Sequence, residues 1–406
     1  MRVAITGGTG FVGGHLAKSL AASGHDVVVL ARGADNRPWA REILELPRVA
    51  LVRAGIGDEQ ALVRAFDGCD AVAHCAGINR EIGPQTYEAV HVRGTANVVR
   101  GTEAAGVDRL AFVSFLRARP GCGSPYHESK WAAEELVRAS SCEWTVLKPG
   151  MMFGRGDHML DHLSQALYTF PIFLGIGPRR VRPLAVEDAV EVLVAALGDG
   201  GLQRKTVGLV GPTEIGFDDA ARLVARVLEK RRAFVTVPIA FHYLFARLAE
   251  ATMTVPLVSR AQVRILREEV VEPLNAPDEV PTELAPRTLF DEESIRAGLP
   301  EAGPFRIDDL RWFTKRGGGP ESPAVLQSCR PGRPPHPLRH EPATGSVPPW
   351  RDRTLTRRRG GVRGGRAENL QGAARSLSHP RPRRSVAQHE PDRGHARGSS
   401  SMRAGS

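Results

Sequence analysis

Short continuous apolar runs recur through the first 150 positions, separated by stretches whose apolar residues return every three or four places. MRVAIT, DVVVLAR, the weaker VALVRA, CDAVAHCAG, RLAFVSF and EWTVLKPG read as six strands. Runs this short and unbroken mark strands buried on both faces. Between them, helical periodicity predicts helices over His15–Ser23, Asp58–Phe66, Glu88–Ala105 and Ser129–Ala139. Regular alternation of strand and helix specifies an α/β architecture, a doubly wound parallel sheet with helices on both sides.

From Met151 to Arg316 the alternation loosens into Pro-punctuated helices and one further strand, KTVGLVG. VEDAVEVLVAAL is predicted to be a helix returning to the sheet, and Phe217–Glu229 another helix. PIAFHYLFARLAEATM is apolar on most sides yet carries His242 and Arg247. It is expected to be buried in a smaller substrate subdomain; a lid over a hydrophobic substrate and a membrane-surface face are the alternatives. Residues 317–406 contain 13 Gly, 12 Pro and only 11 large apolar residues among 90. That composition cannot offset chain entropy, so a disordered Arg/Gly/Pro-rich tail is expected.

The net charge of +10 belongs to this tail, which holds 17 Arg, no Lys and 6 acidic residues, leaving residues 1–316 at −1. Nucleic-acid binding is therefore not the expected function, although RRRGGVRGGR resembles an RGG-type segment. The chain has 49 Arg against 6 Lys. That usage also fits a frameshifted extension of GC-rich coding DNA. Five scattered cysteines exclude a disulfide scaffold. No apolar stretch reaches the length of a membrane span, and the start lacks a secretory layout, so a cytoplasmic address is expected.

TGGTGFVGGH sets Gly7, Gly10 and Gly13 at G-x-x-G-x-x-G spacing, directly after a strand and opening a helix. Such a turn lets backbone approach a pyrophosphate at the positive end of the helix, with Thr9, Phe11 and Val12 completing it. This is the dinucleotide site of a Rossmann fold, and it assigns residues 1–150 to cofactor and 151–316 to substrate. Arg32 stands 19 residues after Gly13, where NAD sites carry an acidic residue. A guanidinium there favours the 2′-phosphate of NADP, with NAD the alternative.

SPYHESKWAAEE places Tyr126 and Lys130 four residues apart on one helical face. An ammonium beside a phenol is expected to lower its pKa and make proton exchange feasible, while also holding ribose hydroxyls.

TGGTGFVG, HCAG, YHESK and LKPG together resemble the extended short-chain dehydrogenase/reductase superfamily, the NAD-dependent epimerase/dehydratase family. Within it, VPIAFHYLFARLAEATMTVP looks most like the atypical group related to the complex I 39-kDa accessory subunit. The resemblance covers residues 1–316. It implies NAD(P) binding, with Ile56, Ala76 and Gly77 lining the cofactor and Pro149 near the nicotinamide. It makes Tyr126 the general acid/base, Lys130 its helper, and Ser114 the hydroxyl that polarises a substrate carbonyl.

Three positions depart from the pattern. FVSFLRA leaves Ser114 followed by Phe115 and Leu116, with Ser124 a substitute candidate. His91 stands where an asparagine is usual, and only Asp58 remains of an acidic run near Gly55–Ile56. The expectation is an oxidoreductase or epimerase/dehydratase acting on a small molecule, hydrophobic substrates included. The alternative is a non-catalytic NADP(H)-binding scaffold or accessory subunit. His74 and Cys75 are expected to pack beside the cofactor. Asp157, His158, Asp161 and His162 are read as a solvated loop, with no metal site expected.

Overall fold

Successive residues of one strand enter opposite layers of the core, as the period of two requires. In β1 (Arg2–Thr6), Val3 and Ile5 pack on one side of the sheet and Ala4 on the other. The computed structural model describes residues 1–33, 38–252, 258–274, 278–300 and 303–304. The expected tail at 317–406 lies outside the described residues.

β1 is followed by β2 (Asp26–Ala31), β3 (Val49–Arg53), β4 (Ala71–His74), β5 (Arg109–Val113) and β6 (Glu143–Pro149). With the strand Lys205–Leu209 they form one seven-stranded parallel sheet, ordered Lys205–Leu209, β6, β5, β4, β1, β2, β3. Strand order reverses between β1 and β4, the switch point where such sheets bind ligands at their carboxyl edge.

Five helices accompany the first six strands: α1 (Phe11–Ala22), α2 (Pro38–Leu44), α3 (Glu59–Phe66), α4 (Gly94–Ala104) and α5 (Pro125–Arg138). α1 begins four residues before the predicted start because Gly10 is its N-cap and the buried Gly13 and Gly14 continue the helix. α2 had no counterpart in the sequence pattern. The predicted helix from Glu88 is broken in kind: Glu88–Arg93 is a π-helical turn, and α4 follows it. α5 starts at Pro125, which fits an N-terminal turn, so Tyr126 lies in its first turn.

The helix Val186–Leu197 returns to the sheet, where Leu193 and Leu197 share a core with Leu16 and Leu20 of α1. Beyond the sheet, Phe153, Leu160, Phe217, Val224 and Ile295 make a separate small core. Short strands there exceed the single one expected; Ile172–Gly175 pairs in parallel with Ala233–Thr236. The helix Ile239–Thr252 corrects the expectation of burial. Among its residues with described side chains, only the small Ala246 and Ala249 are buried, while Phe241, Leu244, Phe245 and Leu248 are exposed. No helix among the described residues is long and apolar enough to cross a membrane.

Candidate active site

The glycine turn is pressed against the segment that follows β4. Gly7 has φ +70, and a Cβ there would lie 2.9 Å from the Ala76 backbone. The Gly10 amide donates to the Gly7 carbonyl at 2.9 Å. A Cβ at Gly13 would meet that same carbonyl oxygen at 2.4 Å, so α1 can close on the turn only with glycine there. No side chain caps α1 and no acidic residue occupies its first turn. Its leading amides and positive dipole end are thus open to an anion. Thr9 is buried, and Phe11 meets His15 edge-on, ring centroids 5.6 Å apart. Val12 packs on the core beside α1. Trp39 of α2, which the sequence did not flag, donates from Nε1 to the Gly10 carbonyl at 3.4 Å.

Arg32 follows β2 and donates to Gln85 Oε1 at 3.0 Å. Ile56 accepts at its carbonyl from Asn97 Nδ2 at 2.9 Å and packs over Gly94, tying the β3–α3 connection to α4. Asp58 caps α3, accepting from the Ala61 amide at 3.0 Å.

Lys130 crosses from α5 to the carboxyl edge. Its buried ammonium donates to the Val113 carbonyl at 2.9 Å, and a Cβ at Gly77 would stand 3.1 Å from Nζ. Burial lowers the lysine to about 8, with Glu134 opposing. The Tyr126 ring lies among Tyr87, His91, Phe115 and His127 at centroid distances of 5.4–5.7 Å. Leu116 and Val270 complete this apolar cluster. Burial raises the phenol well above its ordinary value, and Tyr87 adds to the rise. This corrects the expected lowering: desolvation of the phenolate dominates the site.

His91 sits in the π-helical turn and bonds at both ring nitrogens. Nδ1 is 2.9 Å from Ser129 Oγ, and Nε2 accepts from the Ile78 amide at 3.1 Å. It therefore holds the Gly77–Ile78 segment against α5. The sequence marked this position as a departure; its bonding to Ser129, 38 residues away, had no local signal. His74 packs at the end of β4, bonded to Thr6 Oγ1 at 2.7 Å and Thr95 Oγ1 at 3.0 Å.

Ser114 is brought to the edge after β5, but its hydroxyl turns toward α5 and donates to Glu134. That fully buried carboxylate also accepts from Lys148 Nζ at 3.0 Å and Arg138 at 2.7 Å. Ser124 Oγ is 2.6 Å from His127 Nδ1. Pro149 ends β6, its carbonyl accepting from the Leu116 amide at 2.9 Å. Asp157 caps the helix His158–Thr169 through the Met159 and Leu160 amides. No group of metal-ligating side chains occurs among the described residues.

Residues 7–161 match a family model described as NAD(P)H-binding. A 194-residue segment is 34% identical to the ceramide reductase of Caulobacter vibrioides, over 48% of this chain and 60% of that protein. A 271-residue segment is 25% identical to the 40 kDa subunit of mitochondrial NADH-ubiquinone oxidoreductase from Neurospora crassa, over 66% of this chain and 72% of that one. The chain spans 23% of the length of the first curated relatives it matches, which include an uncharacterised protein of Mycobacterium tuberculosis at 29% identity over 56% of this chain. UDP-glucuronic acid 4-epimerase from Bacillus cereus shares the fold, with a TM-score of 0.55, 16% identity, and coverage of 73% of this chain and 98% of that one. Residues 7–161 thus carry an NAD(P)H-binding domain, set in a Rossmann-like parallel sheet.

Proposed function

We propose that the chain is an NADP(H)-dependent oxidoreductase of the epimerase/dehydratase type, acting at a carbonyl or carbinol carbon. The observation that carries this reading is the placement of Tyr126 and Lys130 one turn apart on α5, with Lys130 reaching the Gly77 backbone beside the glycine turn. The uncapped α1 terminus and the glycines suit a diphosphate, and Arg32 would take the 2′-phosphate. Ala76, Gly77 and Pro149 would border the nicotinamide half, with the described residues after Met151 shaping the substrate side. A dinucleotide held there would supply or accept the hydride.

Tyr126 moves the proton at its phenol oxygen. A phenol raised by burial is protonated at neutral pH, so its readier role is donation to a developing alkoxide, the direction of carbonyl reduction. Lys130 orients ribose and compensates charge when the phenol gives up its proton. Tyr87, Phe115, Leu116 and Val270 exclude water and favour an apolar substrate. A second reading, a cofactor-holding scaffold or accessory subunit, draws support from Ser114: its hydroxyl is committed to Glu134 rather than offered to a carbonyl.

NADPH oxidation with a panel of apolar ketones and aldehydes tests the reading, alongside calorimetric cofactor titration. Tyr126→Phe should lower kcat by roughly 10²–10⁴-fold while cofactor affinity stays within about twofold. Activity near wild type in that variant refutes the proton role. A wild type that binds NADPH but turns over nothing in the panel favours the scaffold.

A further inference from the structure

Eight of the ten large apolar residues exposed among the described residues fall in two neighbouring pieces of chain. On the helix Ile239–Thr252, Phe241, Leu244, Phe245 and Leu248 are 43–57% exposed and spaced at i, i+3, i+4 and i+7, a single stripe. Phe170, Ile172, Leu174 and Val235 are 43–49% exposed. Ile172 and Leu174 flank Phe173, whose ring packs inward against Phe234 at 5.2 Å, and Leu174 pairs in register with Val235. His242 Nε2 lies 3.2 Å from the Gly175 carbonyl, joining the helix to that strand. The two apolar sets are thus adjacent.

The margin of this face is basic. Lys230, Arg231 and Arg232 run directly into the strand Ala233–Thr236, and Arg247 is exposed on the helix between Ala246 and Leu248. Of the acidic residues nearby, Glu250 pairs with Arg260 at 2.6 Å, Asp218 is buried and accepts from the Ile176 amide at 2.9 Å and Thr236 Oγ1 at 3.4 Å, and Glu229 is exposed. Residues 1–316 as a whole are nearly neutral, so this margin is a local feature.

From this geometry we infer that the face docks on the surface of an anionic lipid bilayer, with the helix lying in the interface plane. An apolar stripe with a cationic border is the chemistry that enters the headgroup and acyl boundary and meets anionic headgroups there. The other occupants match it less well. Residues 317–406 offer 11 large apolar residues among 90 and a net charge of +11, which repels the basic margin. A second copy docked on the same face would set one basic margin against another. The helix Arg260–Arg267 packs against this helix and places Ala261 and Ile265 on the Tyr126 cluster. Docking therefore brings lipid within one helix of the tyrosine. The inference does not depend on Tyr126 being catalytic.

The test is flotation of the full chain with phosphatidylcholine vesicles, with and without phosphatidylglycerol. Wild type should float with the phosphatidylglycerol vesicles, and a Leu244→Gln/Phe245→Gln variant should partition at least about tenfold less. An unchanged melting temperature and NADPH affinity show that the variant is folded; should it not fold, Phe241→Gln alone replaces it. Binding that is equal in wild type and variant and vanishes at high salt is tail-driven and overturns the proposal. So does a wild type that ignores both vesicles, or one that self-associates in a manner the variant abolishes.

Discussion

Lowering the pH should drain stability from this fold through His91. The side chain is 1% exposed and both ring nitrogens are committed. Ser129 Oγ donates to the Tyr126 carbonyl at 3.0 Å, so it accepts from His91 Nδ1–H. Nε2 must keep its lone pair for the Ile78 amide. Only the neutral Nδ1–H form meets both demands, because an imidazolium would oppose N–H to N–H. Burial is the largest cause that pushes this histidine down to about 2, and the charges of Lys130 and His74 add to it. The unfolded chain has an ordinary histidine near 6.5 and takes up the proton first. A folded pKa below the unfolded one gives stability that is present above pH 6.5 and lost as pH falls. Between pH 6.5 and 5.0 the loss from this residue is about 1.6 kcal/mol. His91→Gln should be destabilised at pH 7.5 by roughly 1–3 kcal/mol through unmade bonds. Its gap to wild type should then shrink by about 1.6 kcal/mol on going from pH 6.5 to 5.0. Urea unfolding across that range, with m-values matched, reads the gap directly. A gap that stays constant with pH refutes a neutral, locked His91.

The cofactor assignments yield two further outcomes. Gly10 has φ −81 and ψ −176, extended backbone, but a Cβ there would stand 3.0 Å from the Gly7 carbonyl oxygen, so Gly10→Val should lower the melting temperature and, in the folded protein, weaken NADP(H) binding at least about tenfold by calorimetry; undiminished affinity would remove the turn from the cofactor site. Wild type should prefer NADP over NAD by about 10–100-fold, the worth of one charge-assisted contact, and Arg32→Asp should reverse the order. Equal affinity of the wild type for both dinucleotides would take Arg32 out of the site.

The sheet was legible because two-sided burial writes itself as unbroken apolar runs, and DVVVLA needs no partner to be recognised. Helix beginnings were harder. Glycines at 13 and 14 hide the first turn of α1 from any periodicity, since Gly13 lets its backbone approach that of Gly7 and Gly14 makes room for the Ile43 and Trp39 side chains of α2. The π-helical turn at Glu88–Arg93 leaves the apolar spacing almost unchanged and shows only in hydrogen bonding. The helix Ile239–Thr252 was read as buried because apolarity and burial were equated. Its inward positions turn out to be alanines, and the large side chains face out.

The site divides along the same line. Gly7, Gly10 and Gly13, and Tyr126 with Lys130, are readable because each motif acts over a few residues of one element. What they experience comes from farther away. Ser114 is set by Glu134, 20 residues on, which is itself shared with Lys148 and Arg138. A carboxylate with three donors has little reason to release one, so the hydroxyl expected to face a carbonyl serves the α5–sheet contact instead. Under the proposed function, the polarising hydrogen bond would then have to come from elsewhere near Tyr126. Ser124 lies two residues before it, with its oxygen 2.6 Å from His127. If His127 accepts the Ser124 proton, that hydroxyl is also spent, and Tyr126 itself is left as the donor to a carbonyl oxygen. A phenol that burial keeps protonated is suited to doing that alone. Under the proposed function, the committed Ser114 and the raised tyrosine would fit together, with a single proton donor standing where a pair is usual.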